Sequence, residues 1–281
     1  MNYRHAFHAG NFADVVKHAT LARVIAHLKE KPAAFRVIDT HAGAGLYDLT
    51  GPEASRTGEW RSGIGRLGEA RLDPPVRDLL APYLDAVAAF NPDGGIAAYP
   101  GSPALARHWL RKQDRLVACE LEPQGAQALA GHMRRDARVK VVAIDGYMAL
   151  GAYVPPKERR GLVLVDPPFE QPGEFERLID GLAGAHRKWP TGIYLLWYPL
   201  KDARATDRFA HRLARLGIPG ILRAELAVAG TRAAERLAGT GLIVVNPPWR
   251  LEDELKALLP ALAAALAQNG GVRLDWLARE K

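Results

Sequence analysis

Cysteine is almost absent from this 281-residue chain. Cys119 stands alone, which excludes an internal disulfide and any cysteine-rich metal site and fits a reducing compartment. Long hydrophobic runs are missing too: the most apolar tract, 258–266, is short and contains Pro260, so no membrane span is expected. The opening residues, MNYRHAFHAGNFADVVKH, are polar and charged where an export signal would carry an apolar core, and the expectation is a cytoplasmic protein. Acidic charge is in deficit. With 38 Lys and Arg against 31 Asp and Glu the net charge is +7, which favours a polyanionic partner, nucleic acid first. The nine histidines have no metal-ligand spacing, and no metal is expected.

What is present reads as one α/β domain over 1–281, long enough to bury its own core. Asn11, a good N-cap, precedes apolar residues at helical spacing, so 12–30 reads as an amphipathic helix that Pro32 stops. An apolar strand at 35–39 ends in Asp39 and gives way to the small-residue loop THAGAG. Alternation of strand and helix then lapses over 46–98, which reads as an inserted, mostly helical subdomain. It resumes with strands at 116–120, 139–145, 162–166 and 193–199, implying a mostly parallel sheet covered on both faces. ILRAELAV and GLIVVNPPW are joined too closely for a usual crossover and are expected to pair antiparallel; a helix and a last strand around Val272, Leu274 and Trp276 close the chain.

In such sheets ligands sit beyond the carboxyl ends of the strands, where strand order reverses. Four successive strands end in an acid: Asp39, Glu120, Asp145 and Asp166. S-adenosylmethionine gives each of these positions a use. Gly43 and Gly45 would let backbone approach its amino-acid end, Glu120 would accept from both ribose hydroxyls, and Asp145 from the adenine amino group. A nicotinamide dinucleotide fits less well, because Asp48 occupies the third small-residue position of the dinucleotide fingerprint.

Asp166-Pro167-Pro168-Phe169 has its own chemical rationale. An exocyclic adenine amine is a poor nucleophile until two acceptors take its protons. The Asp166 carboxylate and the Pro167 carbonyl can do so, with the prolines fixing the geometry and Phe169 stacking on the base. Two imitations occur. Asp73-Pro74-Pro75 follows no strand and reads as a helix start, whereas Asn246-Pro247-Pro248-Trp249 follows a strand and stays a second candidate.

The run YRHAFHAGNFADVVKH, together with DTHAGAG, YPGSP, DPPFE, LWYP and VVNPPW, resembles the bacterial RlmJ family of adenine N6-methyltransferases acting on large-subunit (23S) ribosomal RNA. The resemblance runs along essentially the whole chain. It implies a Rossmann-like class I methyltransferase fold, a seven-stranded mostly parallel sheet with a helical insertion after the first strand. It further implies that Lys17, His18, His41, Ser102, Glu120, Asp145, Gly146 and Asp166 surround S-adenosylmethionine, that Asp166 is catalytic, and that Tyr3 touches RNA. Phe169 departs from the family's usual Tyr. Arg4, Arg61, Arg66 and Arg71 are candidate phosphate contacts, and a monomer is expected. A methyltransferase of DNA or of a protein amide, or a noncatalytic RNA-binding module, would share parts of this pattern.

Overall fold

The computed structural model describes residues 4–227, 237–266 and 270–279. Asn11 starts helix α1 (Phe12–Glu30), its side-chain oxygen accepting from the N–H groups of Ala13 and Asp14. Two of the donors that a helix start leaves open are thereby satisfied. The amphipathic reading of α1 needs correction, because the helix is covered on both sides. Asp14, Lys17, His18 and Thr20 are as buried as Val15 and Leu21. The reason lies in the insertion, which closes over the face that would otherwise meet water.

In chain order the strands are β1 (Arg36–Asp39), the short β2 (Leu46–Asp48) and β3 (Ala98–Pro100), β4 (Arg115–Glu120), β5 (Val139–Ala143), β6 (Gly161–Val165), β7 (Ile193–Pro199), β8 (Ile221–Ala227), β9 (Gly239–Val245) and β10 (Val272–Ala278). The main sheet has the order β5-β4-β1-β6-β7-β9-β8-β10. Strands β5 to β7 of this order are parallel, and β9, β8 and β10 join antiparallel. Strand order therefore reverses between β1 and β6, which opens a crevice at their carboxyl ends. The sheet has eight strands, not the expected seven. A seven-stranded sheet would leave β8 as an edge, yet its residues 221–226 are all buried, and its Arg223 pairs with Asp275 of β10 at 2.6 and 2.8 Å.

The remaining helices are α2 (Pro52–Thr57), α3 (Arg66–Glu69), α4 (Pro74–Ala89), α5 (Ser102–Trp109), α6 (Pro123–Met133), α7 (Gly146–Tyr153), α8 (Glu174–Lys188), α9 (Ala203–Ala214) and α10 (Leu251–Ala265). None in the described residues is long and apolar enough to cross a membrane. β2 and β3 pair antiparallel and enclose α2, α3 and α4. Asp73 starts α4 with Pro74 behind it, as its sequence suggests. Leu80, Tyr83, Ala86 and Val87 of α4 share one apolar core with Val15, Leu21 and Val24 of α1. The junction is tight: Ile64 N–H donates to the Gly10 carbonyl at 2.9 Å, and a Cβ on Gly63 would lie 2.0 Å from that oxygen.

The second candidate motif is resolved by strand direction. Because β9 is antiparallel to β7, Val245 pairs with Tyr194 at the amino end of β7. Asn246 thus sits at the sheet edge opposite Asp166, with φ at +53° and its side-chain amide donating to the carbonyls of Pro190 and Gly192, both at 2.7 Å. It locks a turn. Asn246→Ala is expected to lower the unfolding free energy by about 1 kcal/mol in denaturant titrations, with ligand binding at the opposite edge unaltered; lost binding at unchanged stability would return the motif to the site.

Candidate active site

A cavity of about 1130 Å³ opens at the carboxyl ends of β1, β4 and β6. Lys17, His18, His41, Gly43, Ser102, Glu120, Asp145, Gly146, Asp166, Pro167 and Phe169 all line it. The strand-end acids, the α1 side chains and the Asp-Pro-Pro-Phe turn are thus brought to one place. Tyr3 lies outside the described residues. Arg4 is exposed at the surface, with Gln124 at 3.3 Å and Glu53 at 3.9 Å. Arg61, Arg66 and Arg71 are also exposed, Arg61 lying over the Trp60 ring at 5.1 Å.

At the centre is a buried ion cluster. Lys17 Nζ donates to Asp14 at 2.8 Å and to Asp166 at 2.5 Å. Burial works against its charge, but the two carboxylates outweigh it and raise the Lys17 pKa above its ordinary value. Asp14 also accepts from Gly10 N–H at 2.9 Å and approaches His5 at 3.0 Å. Its burial would raise its pKa, yet His5 and Lys17 hold it well below the usual carboxylate range. Asp14 carried no role in the sequence reading. The signal that could have found it is an acid three residues before a lysine, in a helix otherwise apolar enough to be buried.

Glu120 accepts one backbone N–H on each oxygen, from Gly43 at 2.7 Å and from Glu122 at 2.8 Å. The carboxylate is fixed while lone pairs remain for a ribose diol. Gly43 is left-handed at φ +61°, and a Cβ there would meet the Tyr47 hydroxyl at 2.2 Å. Its glycine requirement therefore comes from the protein itself, not only from room for a ligand. Gly146 is similar, since a Cβ would meet the His41 ring at 2.4 Å. Asp145 caps α7, one oxygen accepting from Tyr147 and Met148 N–H, while the other lies 3.2 Å from Arg177.

Two histidines are held neutral by burial, His18 with its pKa pushed down to about 3 and His41 to about 4. His41 Nδ1 is 2.8 Å from the Thr40 hydroxyl. His18 is almost fully buried, and its Nε2 has no hydrogen-bond partner among the described residues. A buried polar atom without a partner on a cavity wall is what a polar ligand would satisfy. Together with Glu120 it makes the donor and acceptor set compatible with S-adenosylmethionine.

Residues 32–278 match the model of the family described as "Ribosomal RNA large subunit methyltransferase D, RlmJ". The chain belongs to the RlmJ family. It is 41% identical over 282 residues to the Ribosomal RNA large subunit methyltransferase J of Escherichia coli and 37% identical over 283 residues to that of Haemophilus influenzae, each match covering 100% of both chains. A protein of Legionella pneumophila with a known crystal structure superposes with a TM-score of 0.87 at 32% identity, covering 96% of this chain and 98% of that one. This RlmJ-family chain is a methyltransferase with S-adenosylmethionine as its methyl donor.

Asp39 is fully buried beneath the cavity and accepts from the Ser102 hydroxyl at 2.7 Å. Ser102 is the first residue of α5, and donation to Asp39 turns its lone pairs away from that carboxyl. Burial lifts the Asp39 carboxyl to about 7, against the pull of Ser102. A carboxyl that holds its proton more tightly when folded adds stability at low pH and loses it as pH rises. The Asp39 contribution is full below about 3.8 and gone above about 7. Subtracting the unfolding free energy of Asp39→Asn from that of the parent at each pH is expected to reveal a component that declines across this window; a flat difference would contradict the assignment.

Proposed function

We propose that this RlmJ-family enzyme methylates N6 of an adenine in 23S ribosomal RNA. The observation that carries the reading is Asp166 at the cavity wall, one oxygen gripped by Lys17 at 2.5 Å and the Pro-Pro-Phe turn immediately following. S-adenosylmethionine supplies a methyl group bound to a positively charged sulfur. Everything else is the work of the chain.

Lys17 orients the Asp166 carboxylate and leaves its second oxygen to accept a hydrogen bond from one adenine amino N–H. The Pro167 carbonyl would accept one from the other N–H, so that the nitrogen lone pair turns from the ring toward the methyl donor; as the N–C bond forms and the S–C bond breaks, the amine gives up one proton, on the Asp166 side, and keeps the other. Rate then comes from alignment and fixed charge. Phe169 adopts φ +52°, an uncommon backbone for a bulky residue, and its ring packs edge-on against Phe175 at 5.0 Å and Trp197 at 5.8 Å. The two neighbours hold the ring where an extruded base can stack. A phenylalanine here stacks as a tyrosine would but offers no hydroxyl.

Exposed Arg4, Arg61, Arg66 and Arg71 lie on the terminus and insertion that border the cavity, and they suit phosphate contacts that position RNA. Tyr3 is assigned to contact with the RNA substrate. The 46–98 insertion is an elaboration of one methyltransferase domain, since its core is continuous with that of α1. The monomer is proposed as the working unit and the cytoplasm, where ribosomal RNA lies, as the working place.

Asp166→Asn is expected to cut transfer by roughly a hundredfold or more, while S-adenosylhomocysteine binds within a few fold of the parent. The readout is mass spectrometry of nucleosides from treated 23S RNA for N6-methyladenosine. Full activity in the variant would sink the catalytic role, and a methylated product found only in DNA or protein would sink the substrate assignment.

A further inference from the structure

Behind His18 stand two tyrosines that the chemistry above does not use, one from the insertion and one just past it. Tyr99 on β3 and Tyr83 on α4 are fully buried, with their hydroxyls 2.9 Å apart. The Tyr99 hydroxyl lies 2.7 Å from Nδ1 of His18, and its ring stacks on the imidazole at 5.7 Å. Nε2 of that imidazole is the buried atom without a partner among the described residues.

The direction of this chain follows from its donors and acceptors. Burial keeps His18 neutral, so one ring nitrogen carries a hydrogen and the other a lone pair. Were the hydrogen on Nδ1, it would be donated to Tyr99 and the Tyr99 hydrogen to Tyr83. The Tyr83 hydrogen would then have no acceptor among the described residues, an unfavourable state for a fully buried hydroxyl. In the opposite direction Tyr83 donates to Tyr99 and Tyr99 donates to Nδ1. Both hydroxyl hydrogens are then accepted, and Nε2 carries the ring proton, the one hydrogen left for a ligand to accept.

We propose that Tyr99 is a positioning residue that fixes His18 of α1 as its Nε2–H tautomer, so that the cavity wall presents one N–H donor to the α-carboxylate of the methyl donor. The proposal rests on the reading of the cavity as the S-adenosylmethionine site. The carboxylate is the anionic group of that molecule. An N–H donor suits it, whereas it would repel the ammonium and the sulfonium. A lone pair at Nε2 would reverse these preferences, which is why the tautomer matters for binding.

The test combines nitrogen-15 NMR of histidine-labelled protein with calorimetry. The ligand-free parent is expected to carry the His18 proton on Nε2, and so is Tyr83→Phe, in which Tyr99 still donates. Tyr99→Phe removes one oxygen and should lose the tautomer preference. Its affinity for S-adenosylhomocysteine should fall by about tenfold, while that for 5′-methylthioadenosine, which lacks the amino-acid end, stays unchanged. A His18 proton on Nδ1 in the parent, or equal losses for both ligands in Tyr99→Phe, would overturn the proposal. Should Tyr99→Phe fail to fold, the tautomer in the parent and in Tyr83→Phe decides the matter. Failure of S-adenosylhomocysteine to bind the parent would overturn the cofactor reading, and the carboxylate assignment with it, whatever the tautomer.

Discussion

A lysine ammonium buried between two carboxylates is the constraint around which the rest of the structure is arranged. Lys17 is 4% exposed at its side chain, against 1% for Asp14 and 14% for Asp166. Such charges are tolerable only while they are paired, and removing one partner leaves another stranded. The start of α1 is therefore bound to dock against the end of β6. Asp14 extends the tie to the Gly10 amide and to His5, and Gly10 in turn receives Ile64 of the insertion. A single buried cluster thus fixes the amino-terminal segment, the insertion and the Asp-Pro-Pro-Phe turn relative to one another.

The two edges of the sheet divide their labour. Parallel strands deliver Asp39, Glu120 and Asp166 to one edge, where helix starts and glycine turns also gather. Glu120 is tied down by two backbone amides and Asp145 by the start of α7, so these acids are preorganised and need not be ordered by a ligand. At the other edge the antiparallel strands bring Asn246 to a turn near Pro190 and Gly192, whose carbonyls accept from its side-chain amide. The same Pro-Pro pair therefore means different things according to which way its strand runs.

How much of this could be read from the chain follows from the range of the interactions involved. Local signals were legible: Asn11 and Pro32 set the bounds of α1, and the strand-end acids marked the site edge. The Asp-Pro-Pro-Phe turn was legible because an apolar strand precedes it and an aromatic follows. Long-range pairings were not. Tyr83 reads as an apolar residue of the insertion and Tyr99 as one just past it, and nothing near them in sequence announces His18. Helix α9 leaves little signal in the sequence, because its buried stripe is only Thr206, Phe209, Ala210 and Leu213, set among arginines and aspartates. The eighth strand was read as a strand, but its place outside β8 depends on Asp275 meeting Arg223, a contact between residues 52 apart in sequence.

A crystal structure of the enzyme with S-adenosylhomocysteine bears most directly on the central claim, that the crevice between β1 and β6 is the methyl-donor site and is built around the Lys17 cluster. The account predicts the ribose hydroxyls on Glu120, the adenine toward Asp145 and the sulfur facing Asp166, with Lys17 still paired to Asp14. Density for the ligand elsewhere on the chain, or a ribose that leaves Glu120 untouched, would contradict it.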